Sequence, residues 1–220
     1  MTRRAWLFAI ATISWAGALD AQSSMWTPYV SRQDYFTVSF PGEPTVEEIT
    51  YPTEYRITLP GRVYRYADGA SQYSVTVVDY NDAIDIHLAR VESCIAAGGD
   101  GDECQDDGPE EMRGAIVYAS WNLMRRDGAK VDHYAYYNSD RVEGHAIRLT
   151  NADQSRTSAI VHMHENRLYI LESTVPRGAP APGAFQISLQ FLDSEYQPVR
   201  YEWQGIQIYS NGYPPPPRVR

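Results

Sequence analysis

Lysine is almost absent from this chain. Of its 19 basic residues only Lys130 is a lysine, so chemistry that needs a catalytic lysine has a single candidate. Positive charge is scarce as a whole: 28 acidic residues set a formal net charge of −9 and a pI near 5.0, which leaves no electrostatic footprint for nucleic acid or an acidic membrane face. Cysteine occurs twice in 220 residues, too seldom for a disulfide scaffold, and 15 Gly with 14 Pro exclude a collagen-like or low-complexity chain. Past the N-terminus no run approaches the ~20 apolar residues of a membrane span. Also missing are a Gly-x-Ser-x-Gly elbow, a His-Glu-x-x-His helix and a phosphate-binding glycine loop. Without a catalytic constellation, a binding role is expected ahead of an enzymatic one, with no cofactor.

What is present begins with an address. Arg3 and Arg4 precede an apolar run from Ala5 to Leu19 and a small-residue end, Leu19-Asp20-Ala21, the pattern of a signal peptide over residues 1–21. No Cys lies near the cut, so a lipid-anchored lipoprotein is not expected, and the mature chain should not insert stably in a membrane. Thr2-Arg3-Arg4-Ala5-Trp6-Leu7 touches the twin-arginine export pattern, while an ordinary n-region needs the same charge, so both routes stay open. Cleavage removes Arg3, Arg4 and Asp20, leaving 17 basic against 27 acidic residues, a net −10, in an oxidising periplasmic or extracellular compartment.

Along the rest of the chain, Phe36, Val38 and Phe40 alternate with Thr37 and Ser39 as in a half-buried strand. Extended pieces follow at about 46–51, 62–67 and 72–80, the last two joined by an Asp68-Gly69 hairpin turn. Ile84, Leu88, Val91 and Ile95 then recur at helical spacing, and Gly98-Gly99 ends that helix. From 115 to 175 the pattern predicts a five-strand meander (115–125, 129–137, 142–150, 157–164, 167–175) with turn residues between. Phe185, Leu189 and Leu192 mark a second short helix. The expectation is one α+β domain over 22–203, a curved antiparallel sheet of about 6–8 strands against two main helices, followed by an extended Pro-rich tail at 204–220.

The opening Phe36-Thr-Val-Ser-Phe40-Pro41-Gly42, with the hairpin, helix, meander and C-terminal helix after it, resembles the PsbP-like fold family. The run from Tyr29 to Asp193, including His162-Met-His164-Glu-Asn-Arg-Leu-Tyr-Ile-Leu and the Val175 to Gly183 connector, looks like a group of exported bacterial proteins. The resemblance implies a non-enzymatic accessory or binding role in the envelope, with an envelope protein or a small ligand as partner. It carries no functional residue across.

Candidate sites come from residue chemistry. Cys94 at the end of the first helix and Cys104 after it are expected to form a disulfide, since a redox pair would use the closer Cys-x-x-Cys spacing. Seven of the twelve residues from Asp100 to Glu111 are acidic. Asp100-Gly-Asp102 opens like a Ca²⁺ loop, yet Gln105 stands where the sharp turn needs Gly, so a solvated acidic loop is expected, with Ca²⁺ as the alternative. His162 and His164 on one strand project to the same face about 7 Å apart, a workable chelating spacing, with His145 as third metal ligand and His133 as a weaker one. A Glu165-Asn166 turn would set Tyr169 opposite His162 and Arg167 opposite His164. A cation there weighs against a metal, and the competing reading is polar residues on the wetter face of a strand. Tyr134, Tyr136 and Tyr137 on one strand, with Tyr118 and Trp121 before it, form either a recognition surface or sheet packing.

Overall fold

Period-two alternation builds most of the protein. A computed structural model describes residues 26–105 and 113–201. In it β1 (Thr27–Ser31) and β2 (Phe36–Phe40) pair antiparallel, and β10 (Gln190–Phe191) joins the other side of β2. The larger sheet holds β3 (Thr45–Pro52), β4 (Thr58–Asp68), β5 (Ser71–Asp79), β6 (Lys130–Ser139), β7 (Val142–Thr150), β8 (Arg156–His164) and β9 (Arg167–Val175). Its order is β3-β4-β5-β9-β8-β7-β6, every pair antiparallel. The fold is therefore α+β, with ten strands in antiparallel sheets of seven and three and four short helices among the described residues.

Both faces of the large sheet are covered, which makes three layers. On one face Tyr64, Val75, Ile160, Tyr169 and Leu171 meet Phe36, Phe40 and Phe191 of the small sheet and Phe185 of α4 (Gly183–Ile187). On the other, Val78, Ile147, Val161, Met163 and Leu168 meet Ala115, Ile116, Ala119 and Leu123 of α3 (Arg113–Met124). Each of the fully buried phenylalanines contributes about 1.5–3 kcal/mol over an exposed one. Central strands β8 and β9 are buried on both faces, so they read as near-continuous apolar runs.

Three expectations from the sequence need correction. Residues 115–125, expected as the first strand of the meander, form most of α3. Its buried stripe is Ala115, Ile116, Ala119, Ser120 and Leu123, a helical spacing made largely of small side chains that hydrophobic periodicity barely registers. The helix expected at 84–95 exists as α1 (Ala83–Ala96), but it buries Ala83, His87 and Val91, while Ile84, Leu88 and Ile95 are exposed. The helix expected through Leu192 ends at Ile187, because Gln190 and Phe191 leave it to pair with Thr37 and Phe36. The expected signal peptide at 1–21 and tail at 204–220 lie outside the described residues.

The expected Cys94–Cys104 disulfide is present, with Cα atoms 5.6 Å apart, tying the end of α1 to α2 (Gly101–Cys104). The sheet-to-sheet contact is held by a polar cluster. Asp34, in the turn between β1 and β2, is 1% exposed. Arg62 of β4 grips its carboxylate with Nε, at 2.8 Å, and Nη2; Tyr64 donates to the same carboxylate at 2.5 Å. Ser31 and Tyr64 hydroxyls bond at 2.8 Å, and Tyr169 of β9 donates to the Asp34 carbonyl at 2.8 Å. The small sheet is thus fixed to two strands of the large one. Asp34→Ala leaves Arg62 and the Tyr64 hydroxyl short of their acceptor, while the backbone carbonyl that Tyr169 uses remains, and is expected to cost about 3 kcal/mol in urea unfolding; a loss under about 1 kcal/mol contradicts this role.

Candidate functional site

The turn after β8 sets the histidine geometry. Glu165 and Asn166 both adopt positive φ, 45° and 56°, as a two-residue hairpin turn requires. The resulting register places Tyr169 opposite His162 and Arg167 opposite His164. His162 and His164 share one face, but that face is interior: they are 0% and 1% exposed beneath the small sheet. Phe191 packs on both rings, 5.8 Å from His162 and stacked at 4.4 Å on His164. His162 Nδ1 donates to the Glu143 carbonyl at 3.1 Å. Gly144 makes room for this, since a Cβ there would fall 2.5 Å from that ring nitrogen. His164 Nε2 shares a 2.5 Å hydrogen bond with Tyr201, whose hydroxyl burial pushes up to about 12. Burial also holds His162 neutral, pushed down to about 4.

His145 stands on the other side of the sheet. Its strand neighbour is Val161, its ring faces α3, and Ser120 Oγ lies 2.8 Å from Nδ1. The structure therefore does not bring His145 to the His162 and His164 pair. His133 is exposed at the far end of β6. Among the described residues no three His, Cys, Asp or Glu side chains gather as a metal-holding group. The competing reading, a wetter strand face, fails as well, because the small sheet seals that face.

Ser120, His145 and Tyr134 form a chain that the sequence did not suggest, since 115–125 read as a strand. Tyr134 Oη is 3.1 Å from the same Nδ1. Burial lowers His145 from the usual imidazole range, against the raising charge of Glu143. Ser120, at 1% exposure, has no access to an external substrate, so the chain is a link between β6 and α3 and not a nucleophile with its base.

That link joins two exposed surfaces. Tyr134 and Tyr136 of β6 are 48% and 52% exposed, and one and three residues either side of Ser120 stand Trp121 and Val117, 51% and 57% exposed. Tyr118 instead packs against Tyr51, and Tyr137 turns to the opposite face against the aromatic core. Among the described residues β6 is an edge strand whose only partner is β7. Edge strands are usually blunted by charge, proline or a bulge. Here the charges, Lys130 and Asp132, and the bulge between Val131 and His133 all fall at its start, leaving His133 to Ser139 plain.

The described part of the acidic loop is structural. Asp100 caps α2 by accepting from the Glu103 N–H at 2.9 Å, and Arg90 donates to the Cys104 and Gln105 carbonyls. Asp106, Asp107, Glu110 and Glu111 lie outside the described residues. Compared with protein-family models and with curated proteins, the chain shows no match.

The His162 environment makes a pH prediction. The unfolded chain protonates this ring near its ordinary value of ~6.5 and the folded one only near 4, so its contribution is fully present above the former and lost as pH falls toward the latter. Between pH 7 and 4.5 it removes roughly 2–3 kcal/mol. In paired denaturant titrations His162→Gln is expected to lose that much less than the native sequence over this interval. An unchanged difference between the two pH values overturns the assignment.

Proposed function

We propose that the chain is an exported, non-enzymatic accessory protein that binds a partner protein through the open face formed by β6 and α3. The observation that carries this is the exposed group Val117, Trp121, Tyr134 and Tyr136 beside a bare sheet edge. Large aromatic side chains with polar tips are favoured where one end is buried by a partner and the other stays wet, and exposed apolar groups of this kind mark interaction surfaces. The outward backbone groups of His133 to Ser139 suit the addition of a partner's strand, with the alternating Tyr134 and Tyr136 supplying side-chain contacts.

The periplasmic or extracellular address rests on the signal-peptide pattern of residues 1–21 and on the disulfide between Cys94 and Cys104. The resemblance to the PsbP-like family supports an accessory role. The second reading, metal binding through His162 and His164, has no observation in its favour, because Phe191, Tyr201 and the Glu143 carbonyl already occupy the surroundings of those rings.

Trp121→Lys and Tyr136→Lys place charge on this face without touching the core. Both variants are expected to unfold within about 0.5 kcal/mol of the parent. In affinity capture from envelope extract, a partner held by the native protein is expected to be lost from both, as hot-spot truncations of ~2 kcal/mol weaken binding about thirtyfold. Equal capture by native and variant proteins contradicts the assignment of this face.

A further inference from the structure

On the other side of the large sheet, a row of polar residues runs across three neighbouring strands. His133 of β6 lies opposite Arg148 of β7, which lies opposite Ser158 of β8. Residues directly opposite in antiparallel strands have Cβ atoms about 4.5–5.5 Å apart, so these side chains form one continuous strip. Arg156, two residues before Ser158, sits diagonally from Arg148. Together they line a cavity of about 290 Å³ closed on its far side by Val175, Ala181 and Pro182.

The electrostatics of this cavity are opposite to those of the chain. The protein carries nine more acidic than basic residues, yet two guanidinium groups and an imidazole converge here. The one carboxylate in the lining among the described residues, Asp132, is already engaged: it accepts from the Thr150 hydroxyl at 2.5 Å and faces Lys130 Nζ at 3.3 Å. Arg156 donates from Nη2 to the Ala179 carbonyl, which anchors the connector that forms the cavity wall. Arg148 has no ion pair or hydrogen bond among the described residues. Two like charges placed diagonally across a strand pair repel, and a bound anion would turn that repulsion into attraction at both. A guanidinium presents a planar fork of donors matched to a carboxylate or phosphate.

We infer that this cavity binds a small organic oxyanion, its carboxylate or phosphate between Arg148 and Arg156 with the Ser158 hydroxyl and His133 in reach, and its apolar body against Val175 and Pro182. The volume is at the lower end of the range for ligand pockets, so the occupant is small. Its position, on the face away from Tyr134, Tyr136 and Trp121, makes it a second site, independent of the partner surface proposed above.

Isothermal titration of the full chain with inorganic phosphate, acetate and benzoate, each at constant ionic strength set by sodium chloride, tests this. At least one probe is expected to bind with one-to-one saturation, and Arg148→Gln is expected to weaken it at least tenfold. Arg156→Gln should weaken it as well, whereas Arg126→Gln, whose guanidinium pairs with Glu172 elsewhere, should leave it unchanged. Preference for phosphate over acetate assigns a phosphate ligand, the reverse a carboxylate, and stronger binding of benzoate than acetate assigns the apolar wall. The absence of saturable heat with all three probes overturns the inference. Binding that survives Arg148→Gln, or that weakens equally with Arg126→Gln, overturns it too.

Discussion

A carboxylate that is 1% exposed takes its partners from the protein, and the partners of Asp34 come from both sheets. Arg62 and Tyr64 on β4 satisfy its oxygens, Tyr169 on β9 reads its carbonyl, and Ser31 at the end of β1 closes the ring of hydrogen bonds. Taking an ion from water costs several kcal/mol, which only well-formed partners offset. The cluster therefore specifies one placement of the small sheet on the large one. A slide by one residue would strand the charge, whereas the apolar contacts of Phe36, Phe40 and Phe191 alone would tolerate it.

With the small sheet fixed there, the rest of the architecture follows from coverage. β8 and β9 have an apolar layer on each side, so any polar residue on them must find a partner inside. His162 and His164 do so through Glu143, Tyr201 and the ring of Phe191. His145, on the adjacent strand but on odd-numbered parity with Val161, is delivered to the helix side instead. A single sheet thickness separates residues that spacing alone had placed together. Among the described residues double coverage stops at the two edge strands, β3 and β6, and the exposed Trp121, Tyr134 and Tyr136 gather on β6 and on α3.

How far this was legible depends on which physics each segment obeys. The strands from 130 to 175, the Asp68-Gly69 hairpin and the His162 to Tyr169 register were readable because alternation and two-residue turns are local properties. α3 was not, because its interior face is built from Ala115, Ala119 and Ser120, while Ile116, Val117, Tyr118 and Trp121 carry strand propensity. For α1 the period was legible and the face only at one residue: periodicity finds a stripe of Ile84, Leu88, Val91 and Ile95, of which tertiary packing buries Val91 alone, together with Ala83 and His87. The Asp34 cluster and the Arg148 row gave no signal at all. The first joins strands distant in the chain that only the packing of the two sheets brings together; the second lies on the consecutive strands β6, β7 and β8, but its cavity is completed by Val175 and Pro182 from beyond them.

The proposal of a partner-binding protein rests on β6 being an open edge from His133 to Ser139 in the isolated molecule. Native-state amide hydrogen exchange measures this directly, since exchange protection follows local burial and pairing. Amides of β8 and β9 are expected to exchange only at the rate of global unfolding, and the outward-facing alternate amides of β6 orders of magnitude faster. Protection of β6 equal to that of β8 would show the edge to be covered, and would contradict the account.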